Sequence, residues 1–208
     1  MGSRTKSSQR WLQEHESDPY VKAARAAGWR SRAVYKLEEI QRTDKILRPS
    51  SVIVDLGAAP GGWSQYAAKV LHGKGRIIAS DILSMEPIPG VEFIQGDFSS
   101  DEIFAELLNC LGSDRPQVVM SDMAPNMSGI AEVDHDRGMH LVELSLDFAE
   151  KTLLQGGDYL VKVFQGRDYP RFVRRLRGLF GQVKVRKPKA SRSRSAELYL
   201  LARQFGMV

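Results

Sequence analysis

From Pro49 onward, short apolar runs alternate with helical stretches, and this alternation limits the fold more than any other feature of the chain. The runs "SVIVDL", "GRIIASDI", "VEFIQGDF", "QVVMSDM" and "DYLVKVF" are rich in valine and isoleucine, as strands covered on both faces are. Between them, "WSQYAAKVL", "DEIFAELLNCL" and a long stretch around "MHLVELSLDFAEKTLL" carry helical periodicity. Such a chain folds as an α/β domain with a mostly parallel sheet between helical layers. After a further helix, "YPRFVRRLRGLF", the last two runs "QVKVRK" and "AELYLLAR" are joined only by "PKASRSRS". That link is short for a right-handed crossover and predicts an antiparallel hairpin at the sheet edge. The expectation is seven strands with an antiparallel last one.

Ahead of this domain the sequence predicts a basic, partly helical extension over residues 1–30, with a single domain spanning 31–208. Residues 1 to about 16 read as loosely ordered. Ser17 or Asp18 with Pro19 starts a helix that stops at Gly28, and Ser31 caps a second helix, "RAVYKLEEIQRTDKI". At 208 residues, 42% hydrophobic and 26% charged, the composition is that of an ordinary soluble protein. No apolar run is long enough to span a membrane, and "MGSRTKSSQRW" has neither a secretory core nor, because of Lys6, a myristoylation signal. One cysteine, Cys110, forms no internal disulfide, and a cytoplasmic location is expected. Nothing demands an oligomer, so a monomer is expected.

The net charge is +5, and its distribution matters more than its size. Arg4, Lys6, Arg10, Lys22, Arg25, Arg30, Arg32 and Lys36 crowd the start. Arg171, Arg174, Arg175, Arg177, Lys184, Arg186, Lys187, Lys189, Arg192 and Arg194 crowd the end. Two remote basic segments meeting on one face would track a nucleic-acid backbone, which makes RNA the expected partner.

"VIVDLGAAPGGWSQ" stops a strand in a glycine turn before a helix, the usual seat of a nucleotide-like ligand. Against the G-x-G-x-x-G fingerprint, Gly57 and Gly62 keep the outer positions, but Ala59 replaces the glycine that admits a pyrophosphate. Without a Cβ, Gly57, Gly61 and Gly62 leave room for a compact ligand lacking phosphates. Acids follow at strand ends. Asp81 is placed to accept ribose hydroxyls, Asp97 an adenine amino group, and Asp55 lies near the ligand's amino-acid or sulfonium region. A row of carboxylates suits a cation. S-adenosylmethionine, a sulfonium nucleoside without phosphates, meets all these requirements. The competing explanation is a tight turn with acids acting as helix caps.

A second constellation comprises Asp122 in "SDMAPN", Lys162 inside the apolar strand "DYLVKVF", Glu197 in "SAELYL" and Lys36 in "AVYKL". Lysine in an apolar strand is costly unless paired, so Lys162 is the least easily dismissed of the four. "DLGAAPGGWSQ", "SDMAPN", "LVKVF" and "AELYL" together resemble the FtsJ/RlmE family of 2′-O-ribose methyltransferases, from "SRAVYKL" to the last strand. The resemblance implies a Rossmann-like S-adenosylmethionine-dependent methyltransferase fold. It implies a catalytic tetrad at Lys36, Asp122, Lys162 and Glu197, and cofactor positions at Gly61, Trp63, Asp81, Asp97 and Asp122. It further implies a uridine ribose in the A loop of large-subunit 23S ribosomal RNA as substrate.

In that reading Lys162 holds the 2′-hydroxyl and takes its proton as a neutral amine, or stabilises the alkoxide as a cation. "DMAPN" lacks the second proline and aromatic residue of base-amino methyltransferases, and Cys110 in an amphipathic helix is read as structural rather than nucleophilic. "DHD" at residues 134–136 reads as a helix entry, and no metal is expected. Two rivals remain. One is a methyltransferase acting on tRNA, another RNA or a small molecule; the other is an RNA-binding assembly factor without catalysis.

Overall fold

The computed structural model describes residues 16–126, 128–192 and 195–208. The expectation for residues 1–16 falls almost wholly outside them. Along the chain run α1 (Pro19–Ala26), α2 (Val34–Asp44), β1 (Ser51–Leu56), α3 (Gly62–Leu71), β2 (Gly75–Asp81), β3 (Val91–Gln95) and α4 (Asp101–Leu111). There follow β4 (Val118–Ser121), α5 (Ala131–Thr152), β5 (Asp158–Phe164), α6 (Tyr169–Arg177), β6 (Phe180–Arg186) and β7 (Glu197–Phe205).

The seven strands form one sheet in the order β3-β2-β1-β4-β5-β7-β6. β1 to β5 are parallel, and β7 runs antiparallel to both β5 and β6. The chain order reverses between β1 and β4, the place where open α/β sheets hold their ligands beyond the strands' carboxyl ends.

Strand alternation divides the core in two. Val54, Leu56, Ile78, Val119, Val161 and Leu200 face α4, α5 and α6. Ile53, Ile77, Met120, Leu160, Tyr199 and Leu201 face α2 and α3. By the same alternation Asp55, Lys162 and Tyr199 sit on the α2–α3 side, with Lys162 directly opposite Tyr199 in the β5–β7 register.

Helix starts follow local chemistry. Asp18 caps α1 by accepting from Tyr20 N, with Pro19 in its first turn. Ser100 caps α4, where Asp101 and Glu102 complement the helix dipole. Three boundaries differ from expectation. Ser31 does not cap α2: the amides of Val34, Tyr35 and Lys36 bond three residues back, and the helix begins at Val34 without a side-chain cap. The Ser31 hydroxyl instead occupies the space where Gly62 would carry a Cβ. α5 starts eight residues before Met139, because Asp134 accepts from the amides of Ser128 and Gly129 and fixes the entry turn. β6 begins at Phe180, whose ring packs on Tyr159 and Phe205.

Candidate active site

β4 and β5 are parallel neighbours, and this brings Asp122, one residue past β4, beside Lys162. The Lys162 ammonium lies 3.1 Å from Asp122 Oδ1 and donates to the Asp122 carbonyl at 2.6 Å. β7 contributes Glu197 at its first residue and Tyr199 two further on. Lys36, in the first turn of α2, reaches Glu197 Oε1 at 2.8 Å and donates to the Tyr199 hydroxyl at 3.0 Å. Tyr199 donates in turn to Asp122 Oδ1 at 2.8 Å. The four residues named from sequence therefore form one connected cluster, with Tyr199 closing it. A cleft of about 540 Å³ opens over it, lined among others by Arg32, Lys36, Lys162, Phe164, Arg192 and Glu197.

The electrostatics follow from this packing. Burial pushes the Asp122 carboxyl up, but the charges of Lys162 and Lys36 and the Tyr199 hydroxyl outweigh it and hold the group below its usual range. Glu197 is lowered likewise, Lys36 overcoming burial. Tyr199 is raised well above an ordinary tyrosine by burial and by Asp122 and Glu197. It keeps its proton, so its single hydrogen is committed to Asp122 and its oxygen accepts from Lys36. Sequence reasoning missed Tyr199, because a tyrosine in an apolar strand looks like core; its register opposite Lys162 was the available signal.

The acids of the glycine-loop region line the carboxyl ends of β1 to β3. Asp81 Oδ2 accepts from Ala59 N at 2.9 Å and Oδ1 from Leu83 N at 2.8 Å, tying the loop to the segment after β2. Asp97 lies two residues beyond β3 and is exposed; hydrogen bonds from the Ser99 hydroxyl and amide lower its carboxyl.

The other residues read from the glycine turn are placed as follows. Asp55 is fully buried: Oδ2 accepts from the Ser64 hydroxyl at 2.6 Å, and Oδ1 has no partner among the described residues. Burial, then the charges of Asp122 and Asp81, push it up to about 7 against the Ser64 bond. The spaces left by missing Cβ atoms are also filled by protein. Met123 stands 2.6 Å from the Cβ position at Gly57, Ser31 occupies that of Gly62, and Met85 and Ile88 that of Gly61. Gly57 and Gly61 in addition have positive φ, 78° and 105°. The Trp63 ring is core, donating to the Ala33 carbonyl at 2.8 Å and lying 5.8 Å from the Tyr199 ring.

The exposed apolar side chains of Ile82 and Leu83, directly after Asp81, were not singled out from sequence. "DHD" lies inside α5, where His135 pairs with Asp168 at 3.1 Å. His135, Asp136 and Asp168 are close enough to share a cation, but Arg167 already reaches both carboxylates. Cys110 is half-buried on α4, its thiol pushed up by burial and by Glu92.

The basic segments meet only in part. Arg32 binds Asp18 and the Ala190 carbonyl, Arg192 lies 3.9 Å from Asp18, and Lys189 N donates to Glu39. The β6–β7 connection is thereby laid beside α1 and α2. Two of the four α6 arginines turn elsewhere: Arg171 pairs with Glu143, and Arg175 with Asp147 and Glu150, while Arg174 and Arg177 are exposed. Lys184 and Arg186 engage the buried Asp44. Arg4, Lys6, Arg10 and Arg194 lie outside the described residues.

The model of the FtsJ-like methyltransferase family matches residues 29–205. The chain belongs to the FtsJ-like methyltransferase family. Among curated relatives of this FtsJ-like chain, the ribosomal RNA large subunit methyltransferase E of Pseudomonas paraeruginosa is 55% identical over 203 residues, 98% of each chain. The protein of the same name from Legionella pneumophila strain Corby is 54% identical over 205 residues, 99% of this chain and 100% of that one. A solved Plasmodium falciparum structure described as a ribosomal RNA methyltransferase is 32% identical, with a TM-score of 0.76 over 85% of this chain and 98% of that one. The Rossmann-like architecture is thus common to this FtsJ-like chain and its solved relative.

Proposed function

We propose that the chain methylates the ribose 2′-hydroxyl of a uridine in 23S ribosomal RNA of the large subunit, with S-adenosylmethionine as methyl donor. The observation that carries this reading is the Lys162 ammonium, 3.1 Å from Asp122 Oδ1 and facing a cleft that Lys36 and Glu197 also line. Relatives named for large-subunit ribosomal RNA supply the substrate class.

The residues present suit the donor. The charges of Asp122 and Asp81 favour a positive partner or a proton at Asp55, whose buried Oδ1 has no hydrogen-bond partner among the described residues. Asp81 and Asp97 each keep a free lone pair for hydroxyl or amino donors. Ile82 and Leu83 offer an apolar surface to a flat base. Bound S-adenosylmethionine supplies a methyl electrophile on a sulfonium.

The chain's own residues do the rest. Two contacts of the Lys162 amine hold it to Asp122, so its remaining valence can point at a hydroxyl in the cleft. There it takes the hydroxyl's proton as a neutral amine, or stabilises the developing alkoxide as a cation. Asp122, fixed by Tyr199, sets where that nitrogen lies. Lys36 pairs with Glu197 at the rim, and its charge, after that of Lys162, helps to keep Asp122 ionised. Alignment of oxygen, methyl and sulfur supplies much of the acceleration, which is why a rigid cluster serves the reaction.

The test is methyl incorporation from labelled S-adenosylmethionine into 23S ribosomal RNA, large subunits and tRNA, followed by nucleoside digestion. Label in 2′-O-methyluridine from the ribosomal substrates supports the reading. Label only in tRNA, or only on bases, refutes it.

A further inference from the structure

The sequence groups Arg30 with the basic residues expected to face RNA, but its guanidinium is engaged elsewhere. Nη1 donates to the Pro60 carbonyl at 3.3 Å and the Glu86 carbonyl at 2.5 Å, and Nη2 to the Pro87 carbonyl at 2.8 Å. Pro60 belongs to the glycine loop. Glu86 and Pro87 belong to the β2–β3 connection, residues 82–90. All three acceptors are neutral carbonyls, and they lie on two separate segments.

The Arg30 backbone is held as firmly. Its N–H donates to Gln65 Oε1 at 3.0 Å, and Gln65 Nε2 returns a bond to the Gly28 carbonyl at 3.0 Å. Gln65 stands in the first turn of α3, directly after the glycine loop. Residues 28–30 are therefore fastened to α3 at one end and to the β2–β3 connection at the other.

The connection is also seated on the loop by packing. Met85 Sδ, Ile88 Cδ1 and Arg30 Cδ converge at 2.7, 2.8 and 3.1 Å on the Cβ position that Gly61 leaves vacant. Asp81 fastens the same two segments from the other side, through Ala59 N and Leu83 N. Between these fastenings the connection displays Ile82 and Leu83, 58% and 65% exposed, beside Asp81.

We propose that Arg30 is a positioning residue for the methyl donor: it staples the β2–β3 connection to the glycine loop and so fixes the apolar and acidic surface on which the donor's nucleoside rests. This rests on the cofactor reading given above. Arginine suits the task because a planar fork of donors can span carbonyls on two segments, whereas a lysine offers one point charge. The segment from Gly28 onward then works with the catalytic domain rather than with the extension before it, in keeping with a family match that begins at residue 29.

The test measures S-adenosylhomocysteine affinity by calorimetry for the wild type, Arg30→Ala and Arg30→Lys. RNA affinity is measured across a salt series at saturating S-adenosylhomocysteine. Both variants should bind S-adenosylhomocysteine about tenfold more weakly, lysine rescuing little. The slope of log affinity for RNA against log salt should stay at the wild-type value. Amides of residues 82–90 should exchange faster in Arg30→Lys, which carries the comparison if Arg30→Ala melts too low to assay.

Unchanged S-adenosylhomocysteine affinity, or full rescue by lysine, would overturn the proposal. So would an RNA salt slope reduced by about one in Arg30→Ala, because Arg30 would then be a phosphate contact. A wild-type chain that binds no S-adenosylhomocysteine while still methylating RNA from another donor would sink the cofactor reading, and this proposal with it.

Discussion

The Tyr199 hydroxyl donates to Asp122 Oδ1 at 2.8 Å while accepting from Lys36 at 3.0 Å, so one buried phenol joins the two halves of the cluster. With its proton committed, Tyr199 is not an acid or base for the reaction; it fixes the carboxylate that places Lys162. Tyr199→Phe keeps the ring against Trp63 and removes only the bridge. A lost hydrogen bond to a charged group is worth roughly 1.5–3 kcal/mol, so the turnover number should fall about tenfold or more. S-adenosylhomocysteine affinity should stay near wild type. Steady-state kinetics with calorimetry check both.

Asp55 predicts a pH dependence of stability. Its folded carboxyl is pushed up to about 7 from an ordinary value of 3.8. Between those values the folded chain holds a proton that the unfolded chain has released. Its contribution is therefore fully present below about pH 3.8 and lost as pH rises through 7, at about 1.4 kcal/mol per pH unit at most. Asp55→Asn should gain stability relative to wild type as pH is raised from 5 to 7, with the difference levelling off above 7. Parallel melting curves across that range would contradict the assignment.

Asp44 joins α2 to β6 through a two-pronged pair with Arg186, at 2.8 and 2.7 Å, and its side chain is only 2% exposed. Removing the guanidinium leaves a buried carboxylate with Lys184 at 3.5 Å as its remaining charged partner. Arg186→Ala should lose about 3–5 kcal/mol of unfolding free energy. Arg171→Ala, which breaks an exposed 3.5 Å pair with Glu143, should lose about 1 kcal/mol or less. Urea denaturation of both variants decides it.

RNA binding should depend on the β6–β7 connection rather than on the paired arginines of α6. Lys189→Ala and Arg192→Ala should each flatten the slope of log affinity against log salt by about 0.7–0.9. Arg175→Ala should leave it near wild type, because its guanidinium is already held by Asp147 and Glu150. Filter binding across a salt series reads all three.

What the sequence disclosed, and what it hid, divides along physical lines. The sheet was legible because buried parallel strands need unbroken apolar runs, and Lys162 because a charge inside such a run demands a partner. The antiparallel end followed from an eight-residue link. The start of α5 was hidden, since its first turns are polar and are fixed by Asp134 rather than by an apolar stripe. Charge counts could not show that Arg171 and Arg175 pair with α5, nor that Arg30 binds carbonyls, because pairing across elements leaves no periodic trace. Glycine composition likewise marked the loop without telling that Met123, Ser31 and Met85 fill its gaps.

Methyl transfer by this chain depends on Lys162. The most direct measurement is a map of ribose methylation across 23S ribosomal RNA from cells whose only copy of this protein carries Lys162→Ala. The purified variant is tested alongside for S-adenosylhomocysteine binding. The predicted result is one 2′-O-methyluridine lost while binding is retained, with turnover in vitro reduced by about 10²–10⁴-fold. A methylation map identical to wild type would contradict it.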